Sequence, residues 1–243
     1  MGGAIRLFRF AGIDVFLHFS WFLVVAYQLT SRAHQYTSQQ WAVYEYVALF
    51  GLVLLHEFGH ALACRQTGGE ANRIVLWPLG GVAFVNPPQR PGAVLWSLAA
   101  GPLVNVLMLP LLELLLIFAR YRGWAYDAPD AYRLVRMIRL INLGLLVFNM
   151  LPIYPLDGGQ ILRALLWFPF GPIRSLQVAS AIGLVGGLGL AALALWWQSI
   201  WTGVMAFFLL SRAVAGWQQA KAMVIEAEMA RSGYSPPASQ NIQ

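Results

Sequence analysis

The stretch LVLLHEFGHALACRQ, residues 52–66, places two histidines and a glutamate inside a run of leucine, valine and alanine. On an α-helix four residues turn the chain by about 400°, so His56 and His60 stand one above the other, roughly 40° apart in projection. Both imidazoles can then reach one metal ion. Glu57 lies about 100° around the helix, close enough to touch a water at the metal without being a ligand. This is the physical content of an H-E-x-x-H pattern: two ligands and a general base. Chance matches occur in long helices, but context raises the weight of this one. A carboxylate and two histidines at bilayer depth cost several kcal/mol unless something compensates them. A divalent cation does so directly; a polar cluster satisfied within a helix bundle is the competing reading.

Zinc hydrolases commonly use three protein ligands and leave a fourth position for water. The other carboxylates in apolar surroundings are Glu113 and Asp157. Glu113 falls near one end of an apolar stretch, flanked by leucines, where an interfacial position explains it. Asp157 falls in NMLPIYPLDGG, residues 149–159, a segment broken by prolines and paired glycines, where a non-helical backbone can aim a side chain. Asp157 is therefore the expected third ligand, with a turn or helix-cap role as its alternative. Cys64 follows His60 by four residues; it reads as a small buried apolar residue. As the single cysteine of the chain it allows no internal disulfide.

The elements that hold these residues must be membrane elements. Of 243 residues, 59% are apolar and 11% charged, where a soluble domain carries about 25% charged residues. Spans are expected at about 13–31, 41–64, 92–118, 136–162, 175–195 and 199–215. The last two come from one region without a charge between Arg174 and Arg212. As a single helix it would reach about 55 Å, well beyond a hydrocarbon core of about 30 Å. Trp196-Trp197-Gln198-Ser199 marks the turn within it. No cleavable leader is expected, because the first apolar stretch continues to Gln28 without a small-residue cleavage site. Asp14 and His18 are expected at the interfacial start of the first span.

The formal charge of +6 does not point to nucleic acid, since the arginines are scattered between apolar stretches. Their loop bias favours cytoplasmic termini. Arg133, Arg136 and Arg139 resist that bias; spaced three apart on one helical stripe, they are expected to pack on the protein or to snorkel. Two β-rich runs, Ile74–Trp77 and Val82–Val85, flank Pro78-Leu79-Gly80-Gly81 and predict a hairpin over 72–86 that lies at the interface or dips into the protein. Gly183 and Gly187 form a small-residue packing pair. Residues 216–243 are expected to form a cytoplasmic tail, partly disordered. The fold class is thus an all-α membrane protein, a bundle of about six transmembrane helices with a small re-entrant β hairpin, over residues 1–215.

His56-Glu57-Phe58-Gly59-His60, Pro78-Leu79-Gly80-Gly81, Gly101-Pro102-x-x-Asn105 and Asn149-x-x-Pro152-x-x-Pro155-Leu156-Asp157-Gly158-Gly159 occur in that order. Together they resemble the site-2 protease family of intramembrane zinc metalloproteases, over roughly residues 10–215. The compact form resembles the sporulation-factor-processing branch, without its CBS domain and without an inserted PDZ-like domain, so nucleotide sensing is not carried over. The resemblance implies one zinc per chain held by His56, His60 and Asp157, with Glu57 moving the proton. It implies that Asn149 orients substrate backbone, and that Asn105 does likewise or supports the tetrahedral intermediate. Both asparagines have interhelical hydrogen bonding as their alternative. The hairpin that contains Gly80 and Gly81 would bind an unwound substrate as an added strand. Implied partners are the lipid bilayer and a transmembrane protein or peptide: an anti-sigma factor, a pro-sigma factor or a remnant signal peptide. The implied location is a prokaryotic plasma membrane, multi-pass. Two rival readings stand beside these. A zinc transporter would show several ligand clusters along a path, and a catalytically silent scaffold or chaperone would have lost the base or a ligand.

Overall fold

The computed structural model describes residues 3–22, 35–77 and 80–232. The chain divides into two units, residues 1–151 and 152–243. The first contains strands β1 (Ala4–Phe10), β2 (Ile13–His18), β3 (Glu70–Trp77) and β4 (Gly80–Asn86). Its helices are α1 (Gln39–Gln66), α2 (Pro91–Tyr121), the single turn α3 (Trp124–Asp127) and α4 (Pro129–Asn149). The second contains α5 (Asp157–Trp196) and α6 (Ile200–Arg231). Among the described residues, α1, α2, α5 and α6 are long and apolar enough to cross a membrane. The protein is a multi-pass membrane protein with a small β sheet.

In the first unit the strands lie in the order β1-β2-β3-β4. β1 with β2 and β3 with β4 are antiparallel hairpins, and β2 runs parallel to β3, with Val15 opposite Ile74 and Ile74 opposite Ala83. Residues 13–18, expected to begin the first span, are instead a strand. IDVFLH carries β-branched residues but no clear alternation, and its partner β3 lies some fifty-odd residues on in the sequence, so the pairing leaves no local signal. The rest of that expected span, 23–31, lies outside the described residues, as do Pro78-Leu79 of the hairpin and residues 233–243 of the tail. Asp14 and His18 accordingly sit on β2. Asp14 pairs with Arg6 at 2.6 Å, and the His18 ring stacks on Trp77 at 3.9 Å.

The sheet is held on α1 by one apolar cluster. Ile13, Val15, Ile74 and Leu76 of the strands meet Val53, Phe58, Ala61 and Cys64 of the helix. Arg65, in the last turn of α1, donates to the carbonyls of Ala11 and Gly12 at 2.5 and 3.0 Å. Those residues make the β1–β2 turn with φ of 49° and 75°, so one guanidinium ties the turn to the helix end. The sheet is thereby a brace for the HEFGH part of α1.

The second unit corrects the expected span 136–162. α4 ends at Asn149 and a new helix begins at Asp157. Pro152 and Pro155 deny the ladder two donors, so the chain between them cannot stay helical. The intervening segment packs on glycines. A Cβ at Gly159 would overlap the Ile153–Tyr154 backbone, at Gly183 it would lie 2.5 Å from the Tyr154 carbonyl, and at Gly216 it would lie 2.9 Å from the Tyr154 ring. Gly187 opens the same face to Leu210 of α6. The Gly183/Gly187 pair is thus a packing surface. α5 is broken at Gly171, with φ 78° and ψ 173°, between Pro169 and Pro172. It ends at Trp196, and Ser199 caps α6 by accepting from Thr202 N–H.

This packing gives an internal control. Gly183→Ala should destabilise the protein by about 1–3 kcal/mol through overpacking. Gly189, also on α5, has nothing within 4 Å of an added Cβ, so Gly189→Ala should be neutral or stabilising by up to about 1 kcal/mol. Melting temperatures in one detergent check the pair; equal behaviour would contradict the packing described.

Candidate metal centre

α1 is apolar around most of its circumference, yet His56, Glu57 and His60 are 5%, 6% and 7% exposed. The crossing with α2 encloses the two imidazoles. A Cβ at Gly59 would stand 2.6 Å from the Ala100 carbonyl, and a Cβ at Gly101 would overlap the His60 ring. One glycine on each helix thus lets the two backbones approach closely, and Gly101 leaves the space that the imidazole fills. Pro102 follows without an N–H to donate.

The two imidazoles meet edge to face, centroids 4.7 Å apart, with their Nε2 atoms at 3.1 Å. The opposite nitrogens are both engaged. His60 Nδ1 lies 2.8 Å from the Ser97 carbonyl, and Ser97 Oγ donates back to the His60 carbonyl at 3.3 Å. A carbonyl only accepts, so His60 carries a hydrogen on Nδ1, which in the neutral ring leaves the lone pair on Nε2. His56 Nδ1 lies 2.6 Å from Asn105 Oδ1, which assigns the same tautomer to His56. Asn105 Nδ2 donates to Asn142 Oδ1 at 2.8 Å, and Asn142 Nδ2 donates to the Asn105 backbone carbonyl at 2.9 Å.

With their far nitrogens donating, the neutral rings offer both Nε2 lone pairs to one point of a buried site, and a cation there would draw on both. Paired neutral imidazoles, each with its other nitrogen donating to a carbonyl-type oxygen, are a donor set suited to zinc. The residues present fit that ion.

The remaining expected residues are placed as follows. Asn105, fully buried on α2, makes an interhelical hydrogen bond, the use expected as the alternative to its substrate and intermediate roles. Asn149 closes α4 and is half-buried. Gly80 and Gly81 open β4, opposite Trp77 and Leu76. Asp157 is the first residue of α5, where Leu156 N–H bonds the Ile153 carbonyl at 2.8 Å and the Gln160 amide donates to the Pro155 carbonyl at 2.9 Å. Those bonds shape the turn that presents it. Glu113 pairs with Arg139, and Arg133 lies over the Tyr36 ring at 5.8 Å, which accounts for two of the three arginines on that stripe. Cys64 is buried and donates weakly to the Glu70 carbonyl. Sequence reasoning missed Ser97, whose contribution is a backbone carbonyl and carries no signal. It also missed Asn142, an amide in the apolar run INLGLLVFN seven residues before Asn149. A polar residue in such a run was the available signal.

Comparison with known proteins agrees with this architecture. The Peptidase M50B-like family model matches residues 19–154, more than half of the chain, and the Peptidase family M50 model matches residues 117–193. A zinc metalloprotease of Methanocaldococcus jannaschii is 36% identical over 186 residues, covering 75% of this chain and 51% of that protein. Stage IV sporulation protein FB of Bacillus subtilis is 28% identical over 145 residues, covering 56% of this chain and 46% of that protein. The chain thus spans about half the length of these curated relatives. The solved structure of the site-2 protease from Methanocaldococcus jannaschii matches with a TM-score of 0.63 at 29% identity, covering 88% of this chain and 95% of that one. With a family model over most of the first unit and a solved relative along nearly its whole length, the chain belongs to the M50 peptidases, the site-2 protease family.

Proposed function

We propose that the protein is a zinc-dependent intramembrane endopeptidase that hydrolyses a peptide bond within or near a transmembrane segment of a membrane protein. The observation that carries this reading is the pair of buried imidazoles with facing Nε2 atoms 3.1 Å apart, beside a buried Glu57, in a helix long enough to cross a bilayer. His56 and His60 supply two ligands and Asp157 the third, with one zinc per chain. Zinc bound there supplies a Lewis acid that acidifies water and polarises a carbonyl. Glu57 takes a proton from the attacking water and returns it to the leaving nitrogen, so acid and amine are released with no net proton consumed. Burial of Glu57 keeps bulk water from competing for that proton.

A helical substrate hides its peptide bonds in its own hydrogen bonds, so it must unwind before attack. β4 is an edge of the sheet, and its backbone from Gly80 and Gly81 onward holds the unwound segment as an added strand. Asn149 orients substrate backbone. The client is a single-span protein or peptide, such as an anti-sigma factor, a pro-sigma factor or a remnant signal peptide. The enzyme resides in a prokaryotic plasma membrane with both termini cytoplasmic.

N-terminus profiling of membranes from cells that express wild type or Glu57→Gln tests this reading. New N-termini inside predicted spans should appear with wild type and fall about 10²–10⁴-fold with Glu57→Gln; identical profiles would sink the protease reading in favour of a binding or scaffold role. Purified Glu57→Gln should retain zinc, since it removes a base and not a ligand. His60→Ala and Asp157→Ala should each lose most of the metal by elemental analysis. Full zinc in Asp157→Ala would remove Asp157 from the ligand set.

A further inference from the structure

We propose that Asn142 is a positioning residue for the metal centre: by fixing the direction of the Asn105 amide, it holds His56 in the tautomer that can bind a metal. The inference deepens the zinc reading above and rests on it. A primary amide can rotate by 180° and exchange its oxygen for its nitrogen, so something must decide which end of Asn105 meets His56. The Asn105 backbone carbonyl, fixed in α2, makes that decision. It can only accept, so the Asn142 side chain must turn Nδ2 toward it, as observed at 2.9 Å. Asn142 Oδ1 is then aimed at Asn105 and selects Nδ2, at 2.8 Å. Asn105 Oδ1 is left facing His56 Nδ1 at 2.6 Å. Each group has one compatible orientation, and the order of donors ends with a hydrogen on His56 Nδ1, which in the neutral ring leaves the lone pair on Nε2.

With Asn142 removed, the chain of decisions is cut. Asn105 can then turn its NH2 toward His56 Nδ1, which moves the imidazole hydrogen to Nε2, where it blocks coordination. Asn105 and Asn142 are both fully buried, so bulk water does not readily replace the missing partner. His60 takes its tautomer from a backbone carbonyl and has no such weakness. His56 is the ligand whose state depends on a third helix.

The test is a double-mutant cycle on the full chain in detergent, with zinc affinity read by chelator competition. Asn105→Asp is the informative background, because both carboxylate oxygens accept and His56 no longer depends on position 142. Asn142→Ala should weaken zinc binding by about 10–100-fold in the wild-type background. In the Asn105→Asp background, where Asn142 Oδ1 would face a carboxylate oxygen, the same change should weaken binding by no more than about twofold. In zinc-free Asn142→Ala, the ring-nitrogen NMR shifts of His56 should move from the Nδ1–H toward the Nε2–H pattern. Equal losses in both backgrounds would mean that Asn142 only holds helices together, and would overturn the proposal. So would unchanged affinity and unchanged shifts in Asn142→Ala. A wild type that holds no zinc would instead sink the metal reading, and the ring-nitrogen shifts of the metal-free protein would then decide the tautomer proposal by themselves.

Discussion

Two imidazoles whose Nε2 atoms face each other at 3.1 Å on an apolar helix set the terms for the first unit of this protein. They lie next to a buried carboxylate, in a place where water is scarce and desolvation is costly. With a divalent cation between them they become a ligand pair. The arrangement is bistable in chemical terms: one hydrogen on the wrong nitrogen turns a ligand into a donor. That is why the hydrogen bonds on the far side of each ring matter as much as the rings themselves.

Much of the surrounding structure serves to fix those hydrogen bonds. Gly59 and Gly101 bring α1 and α2 close enough for the Ser97 carbonyl to reach His60. Asn105 and Asn142 carry the corresponding constraint to His56 from α2 and α4. The sheet, packed on Phe58, Ala61 and Cys64 and tied by Arg65 to the β1–β2 turn, braces the same end of α1. In the second unit glycines again permit close approach, here of the Ile153–Tyr154 backbone to α5, and the result is a defined turn into Asp157.

The candidate site was more legible in the sequence than the fold. His56, Glu57 and His60 announce themselves because charged and polar groups are expensive in apolar runs, and two prolines with paired glycines mark Asp157 as lying at a break. The helix-packing role of Gly183 and Gly187 and the β3–β4 strands followed from the same local signals. β1 and β2 did not. Their apolar runs are ambiguous in period, and the parallel pairing of Val15 with Ile74 joins residues far apart in the chain. The helix break after Asn149 was visible, but the start of a new helix at Asp157 depends on packing of Tyr154 against Gly183 and Gly216. Asn142 was overlooked because its importance lies in which way a neighbouring amide faces, a property of three helices at once.

The most direct measurement is X-ray absorption at the zinc edge on the purified wild-type protein. Facing imidazoles predict bound zinc with two histidine nitrogens and oxygen ligands at about 2.0–2.2 Å, and no sulfur. Protein purified without chelator that carries no zinc, or zinc whose spectrum lacks imidazole scattering, would contradict the claim that these lone pairs exist to hold a metal.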